Sequence, residues 1–114
     1  MKQAEITIKG EEMEKVYAGQ TIDLNDEGYL NHFDQWTKEV GAEIAKEEGI
    51  DMTEAHWKIV DYIQEQFKAE VSLSIRKVGK SGVVDIKTFY QLFPKGPLKT
   101  SSRISGIPKP VSCI

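Results

Sequence analysis

Apolar residues follow two different periods along this chain. Over residues 4–9, Ala-Glu-Ile-Thr-Ile-Lys, apolar and polar positions alternate as in a half-buried strand, and Gly10 ends the run. Val16–Leu24 reads as a second extended stretch, interrupted at Gly19 and followed by the turn-forming Asn25-Asp26-Glu27-Gly28. Together these predict a small N-terminal β-hairpin or meander. From Asp34 the period lengthens. Trp36, Val40 and Ile44 fall at i, i+4 and i+8, one stripe of a helix with Asp34 as N-cap and Gly49 as its stop. Thr53 opens the next helix, with Glu54 in the first turn where a negative charge suits the dipole. Its Trp57, Val60, Ile63 and Phe67 form a core stripe.

The second half breaks into shorter pieces. Ser72–Gly79 predicts a short basic helix that Gly82 ends. Asp85 caps a helix over Ile86–Leu92, with Ile86, Phe89, Tyr90 and Phe93 expected to face inward. Pro94, Gly96 and Pro97 then force a break, and Leu98–Ser105 forms a last helix closed by Gly106. The predicted class is mostly α (α+β): about five short helices in an orthogonal bundle, a small N-terminal β-hairpin, and an extended, mobile C-terminal arm. Residues 1–106 make one globular domain and residues 107–114 the arm.

Composition narrows the function classes. A chain of 114 residues buries roughly two-thirds of its unfolded surface, enough for one core without metal or disulfide staples. No apolar run approaches the roughly 20 residues that span a bilayer. Met1–Glu5 lacks the apolar stretch of a secretory signal, so the expected location is the cytoplasm. The net charge of −3 conceals an asymmetry: residues 1–70 carry 17 acids and 7 bases, whereas residues 71–114 carry 8 bases and one acid, Asp85. Two readings stand: the halves attract each other in the folded domain, or a basic face meets an acidic protein or nucleic acid. A helix-turn-helix nucleic-acid binder is the rival class, opposed by a pI near 5.4 and by an acidic half that repels phosphates.

The tail carries the most distinctive chemistry. Pro108 and Pro110 hold it extended, and the only cysteine, Cys113, is penultimate. A lone structural cysteine belongs on an apolar helix face, as a small buried hydrophobe. At a chain end it is either incidental or a nucleophile on an extendable arm, with Lys109 and Arg103 as cations that favour the thiolate. Such a thiolate can enter another protein's active site, attack a sulfane sulfur and leave as a persulfide. Elsewhere the chemistry is sparse. His32 and His56 have no further ligands at metal-binding spacing, and His56 reads as a packing or hydrogen-bonding residue. Glu11-Glu12 and Glu47-Glu48 lie in acidic, solvated stretches, and there is no Gly-rich phosphate loop. No metal or cofactor is implied by the chain itself, although a partner enzyme can carry one.

Tyr90–Ile114, YQLFPKGPLKTSSRISGIPKPVSCI, resembles the C-terminal signature of the DsrC/TusE family of sulfur-relay proteins. That signature is a Tyr-x-Leu-Phe-Pro-x-Gly-Pro segment, a short helix, then Gly-x-Pro-Lys-Pro-x-x-Cys and one aliphatic residue. Asp26-Glu27-Gly28-Tyr29-Leu30, Trp36 and Thr53-Glu54-Ala55-His56-Trp57 are similar to upstream family segments. The resemblance implies that Cys113 is the sulfur-bearing thiol. It also aligns Ser102 with the second cysteine of the sulfite-reductase-associated members, which lies eleven residues earlier. A serine there allows no internal disulfide or trisulfide, so the comparison leans toward single-cysteine, TusE-like members. The implied function is a cytoplasmic carrier, a co-substrate protein more than an enzyme. The implied partners are a sulfur-donor sulfurtransferase complex and a sulfur-acceptor enzyme, either a tRNA thiolase or a sulfite reductase to which the chain is a gamma-subunit-like partner. The alternative is a regulatory or DNA-binding relative. Arg76 resembles a common family arginine that steadies the arm, meets the partner or is merely solvated. Leu73–Val84 departs from the family pattern, being shorter and less proline-rich, which points to altered partner choice.

Overall fold

A computed structural model describes residues 7–9 and 12–109, with side chains from residue 14 onward. Three strands, β1 (Thr7–Lys9), β2 (Glu12–Tyr17) and β3 (Gln20–Asn25), form an antiparallel meander in the order β1-β2-β3. The predicted strand residues 4–6 lie outside the described residues. β2 and β3 are joined by the two-residue turn Ala18-Gly19, with φ of 52° and 79°, and Tyr17 pairs with Gln20 across it. Two positive φ values give the turn a twist that matches the strands. The apolar face of β3, Ile22 and Leu24, is buried.

Five helices follow: α1 (Lys38–Glu47), α2 (Glu54–Lys68), α3 (Ile75–Lys80), α4 (Ile86–Leu92) and α5 (Pro97–Ser105). The expected caps hold at Thr53 and Asp85, and at Gly49, where the Ile50 amide bonds the Ala45 carbonyl. The first helix, however, starts later than predicted. Asp34 sits in a single 3₁₀ turn over Phe33–Gln35, Trp36 is extended, and Thr37 caps α1 by accepting from the Val40 amide at 3.1 Å. Trp36 therefore precedes the helix whose stripe it seemed to begin. α3 likewise opens at Ile75 behind a Ser74 cap.

The core joins Val40, Ile44, Ile59, Val60, Ile63, Val78, Phe89, Phe93, Leu98 and Ile104 with the sheet's inner face. Trp57 and Phe67 are only half-buried against it, while the unpredicted Ile59 is fully enclosed. Ile86 and Tyr90 correct the sequence reading more sharply. They are 42% and 48% exposed, because α4 is short and turns only the Phe89/Phe93 edge inward. No helix among the described residues is long and apolar enough to cross a membrane.

α5 is the keystone, packed against α1, α2 and α4. Its Leu98, Ser101, Ser102, Ile104 and Ser105 are all at 0% exposure. Small side chains let the neighbouring helices come close. Ser101 and Ser105 satisfy their hydroxyls by donating to the Pro97 and Ser101 carbonyls, each at 2.6 Å. Buried without a partner, they would be costly.

Candidate functional site

The last turn of any α-helix leaves four carbonyls without intrahelical partners. In α5 every one is satisfied, and from three directions. The Ile107 amide bonds the Ser102 carbonyl at 3.3 Å and the Gly106 amide bonds the Arg103 carbonyl at 3.2 Å, a Schellman closure. The Trp36 indole N–H donates to the Ile104 carbonyl at 2.7 Å. Gln64 of α2 donates to the Ser105 carbonyl at 2.8 Å. Gly106 adopts φ 78°, and a Cβ there would lie 2.5 Å from Trp36 Cδ1. Glycine is thus required twice over, by backbone conformation and by the ring against it. Ile107 is buried at 4% exposure, and the exposed Pro108 and Lys109 lead outward. The end of α5 is thus fixed as far as Ile107.

A second set of bonds ties the Asp26–Leu30 loop to the same helix. Asn25 Oδ1 accepts from the Glu27 and Tyr29 amides at 2.9 and 3.0 Å, which shapes the loop. Its Gly28 carbonyl accepts from Arg103 Nε at 2.9 Å, and the Tyr29 hydroxyl donates to the Lys99 carbonyl at 3.4 Å. Glu27 meets Lys109 at 3.2 Å. α2 is in turn tied to the end of α4. The Thr53 amide donates to His56 Nδ1 at 3.0 Å, so the neutral ring carries its proton on Nε2, which donates to the Leu92 carbonyl at 3.0 Å. Both ring nitrogens are thereby committed to hydrogen bonds, and the ring meets Phe93 edge-on at 5.1 Å.

Arg103 is the electrostatic centre. Beyond Gly28, its fork donates to Glu47 at 2.9 Å, Glu48 at 2.7 Å and the Tyr17 hydroxyl at 3.2 Å. Lys15 also pairs with Glu47, and Tyr17 donates to the same carboxylate at 2.9 Å. Burial works to raise the Glu47 carboxyl, but the bonds from Lys15, Arg103 and Tyr17 outweigh it and hold it below its usual 4.5. Burial, joined by the bond to Glu47, pushes the Tyr17 phenol well above its ordinary value. Burial lowers the Arg103 guanidinium, and the bond to Glu47 with the surrounding anionic oxygens more than reverses this. Glu47-Glu48 is therefore a clasp on α5 and not merely a solvated acidic stretch.

The sequence-predicted residues fall in different places. Arg103 is committed to the clasp and Lys109 to Glu27. Ser102 is wholly buried in α5, and its hydroxyl has no hydrogen-bond partner among the described residues. Arg76 is exposed on α3, beside Tyr62 and Lys80. Cys113 lies outside the described residues. Tyr17, Gln64 and the Glu47-Glu48 pair carry roles the sequence reading missed. No local pattern marked them: Glu47 and Glu48, for example, stand 55 or more positions from Arg103 in the chain.

A three-stranded meander followed by five helices, the last anchored from the sheet, from the Asp26–Leu30 loop and from α2, defines the class of this protein: a small α+β scaffold built around its final helix. Residues 16–114 match the family described as DsrC like protein. The chain belongs to that family. It is 36% identical over 107 residues to sulfurtransferase TusE of Photorhabdus laumondii subsp. laumondii, covering 87% of this chain and 96% of that one. It is 37% identical over 108 residues to sulfurtransferase TusE of Buchnera aphidicola subsp. Acyrthosiphon pisum, covering 87% and 94%. The fold is similar to the crystal structure of the oxidized gamma-subunit of the dissimilatory sulfite reductase (DsrC) from Archaeoglobus fulgidus. That comparison gives a TM-score of 0.75 at 34% identity, covering 89% of this chain and 99% of the other.

Proposed function

We propose that this protein is a cytoplasmic sulfur carrier whose Cys113 receives a persulfide sulfur from a donor protein and passes it to an acceptor enzyme. The observation that carries the reading is that the family match runs to residue 114 and so includes the arm and its thiol. The relatives named sulfurtransferase TusE support a relay, and so does the solved relative named gamma-subunit of the dissimilatory sulfite reductase (DsrC). The Cys113 thiolate attacks the outer sulfur of a donor persulfide, the donor's inner sulfur leaves as a thiolate, and Cys113 keeps one sulfane sulfur. No oxidant is consumed. In delivery the roles reverse: an acceptor thiolate takes the outer sulfur and Cys113 is released as thiolate.

The scaffold's part is geometric. Cys113 lies six residue steps beyond Ile107, so an extended arm reaches up to about 20 Å from the buried root. Lys109 guides the arm when it leaves Glu27, while Arg103 supports the thiol indirectly by holding α5. With Ser102 in place of a second cysteine, each load leaves by transfer to another protein and not by internal disulfide formation. This favours a TusE-like relay toward tRNA thiolation over two-cysteine sulfite reductase chemistry. Incubation with a protein persulfide donor should add one sulfur, about 32 Da, to the intact chain. Cys113→Ala should add none. A wild-type chain that gains no mass, beside a two-cysteine relative that does, would defeat the carrier reading.

A further inference from the structure

The cations of the C-terminal half are not evenly neutralised. Arg103 and Lys109 meet carboxylates of the acidic half, so the attraction between halves is real but local. Among the described residues no carboxylate pairs with Arg76, Lys77 or Lys80, and Arg76, Lys77 and Lys80 are all exposed on α3. At about 100° per residue, Arg76, Lys80 and Lys77 follow Gly79 around the helix in one continuous arc. With Tyr62, Ser74 and Ser81 they line an open concavity of about 430 Å³.

An apolar strip adjoins this arc. Val83, Ile86 and Tyr90 are 36%, 42% and 48% exposed, and Ile86 and Tyr90 are one turn apart on the same face of α4. Ile86 lies across Gly79, where an added Cβ would collide with its Cγ1. The strip therefore begins where the cationic arc ends. A tyrosine and an isoleucine facing water, rimmed by an arginine and lysines, have the make-up of a protein interface with central anchors and a charged edge.

We propose that the α3–α4 face docks an acidic protein surface, with Tyr90 and Ile86 as apolar anchors and Arg76, Lys77 and Lys80 opposite carboxylates. A nucleic acid suits it less well. The aliphatic strip offers a phosphate backbone nothing to hold, and a chain of net charge −3 repels a polyanion elsewhere. Docking does not require the thiol. It rests on the carrier reading only for what the partner does, namely to load or unload Cys113 while the face holds the two proteins in register.

The test places a photocrosslinking amino acid at Tyr90, or at the exposed Glu43 of α1 as control, in the full chain expressed in its native cells. Both probes are repeated on a Cys113→Ala arm. The expected result is a protein adduct at Tyr90 and not at Glu43, in both backgrounds. The purified partner should bind wild type at least tenfold more tightly than Tyr90→Ala or Arg76→Glu/Lys80→Glu, with affinity falling as salt rises. These positions are exposed, so unchanged thermal melts should accompany the lost binding. An RNA adduct, equal labelling at both positions, no adduct at Tyr90, or binding indifferent to both variants would overturn the proposal. Adducts from a chain whose Cys113 takes no sulfur would leave the docking face standing and remove the carrier reading. Sulfur loading without a Tyr90 adduct would do the reverse.

Discussion

Replacing Arg103 by alanine should loosen the anchorage of α5 more than any other single charge removal. The side chain is only 14% exposed and makes four hydrogen bonds, two of them to carboxylates. Breaking a fully buried ion pair from one side costs about 3–5 kcal/mol, because the remaining charge is stranded. Glu47 and Glu48 retain 30% and 23% exposure and can rehydrate, and Glu47 keeps Lys15 and Tyr17. Discounted for that solvent access, the loss is about 2–3 kcal/mol. In a domain of this size this lowers Tm by roughly 10 °C. Arg103→Lys keeps the charge but cannot reach four acceptors in a fixed fork, and should lose about half as much. Urea unfolding followed by fluorescence of the half-buried Trp36 and Trp57 measures both variants at once. A loss below about 0.5 kcal/mol for Arg103→Ala would mean the clasp is a solvated surface pair, and the account of how α5 is held would fail.

Three further outcomes follow from the same geometry. The Glu47 carboxyl is held below its unfolded value of 4.5, so its stabilisation is complete above that pH and is lost as pH falls through the folded value. Urea midpoints should therefore drop on acidification below 4.5 in wild type and drop less in Glu47→Gln. Glu70 adopts φ 60° at the position closing α2, where the Val71 amide bonds the Gln66 carbonyl and glycine is preferred. Glu70→Gly should stabilise by about 0.5–1 kcal/mol in a thermal melt, and destabilisation would contradict the closure. Ser102→Cys replaces a buried hydroxyl that has no partner among the described residues with a thiol that tolerates burial, so folding should not suffer. Mild oxidation of this variant should give an internal bridge to Cys113, seen as a two-proton mass loss and faster non-reducing migration. Dimers alone would mean the arm does not fold back to α5.

Local signals in the chain were enough for the elements whose chemistry is local. Thr53, Asp85 and Gly106 each act through bonds to residues within five positions, and the helices they bound appear where periodicity puts them. Trp36 misled because its spacing to Val40 and Ile44 imitates a helix, while its indole bonds the Ile104 carbonyl 68 positions on. Ile86 and Tyr90 misled because apolar periodicity cannot distinguish a core stripe from a docking strip on a short helix. Arg103 was singled out as a cation beside the arm. Its actual neighbours, Glu47, Glu48, Gly28 and Tyr17, come from elements whose convergence only the tertiary fold decides. The C-terminal signature was legible for the opposite reason: its prolines, lysine and cysteine are close in sequence and carry a resemblance without any fold.

The carrier claim is tested most directly by loading the chain with a radioactive sulfane sulfur and then adding an unlabelled acceptor thiol. Trypsin digestion after Arg103, with the Lys109–Pro110 bond resistant, isolates residues 104–114 with Cys113 as their only thiol. A carrier should hold one label per chain on that peptide, lose it to the acceptor within the chase, and accept a second load at full stoichiometry. Label that is absent from residues 104–114, or that stays there through the chase, would contradict the account.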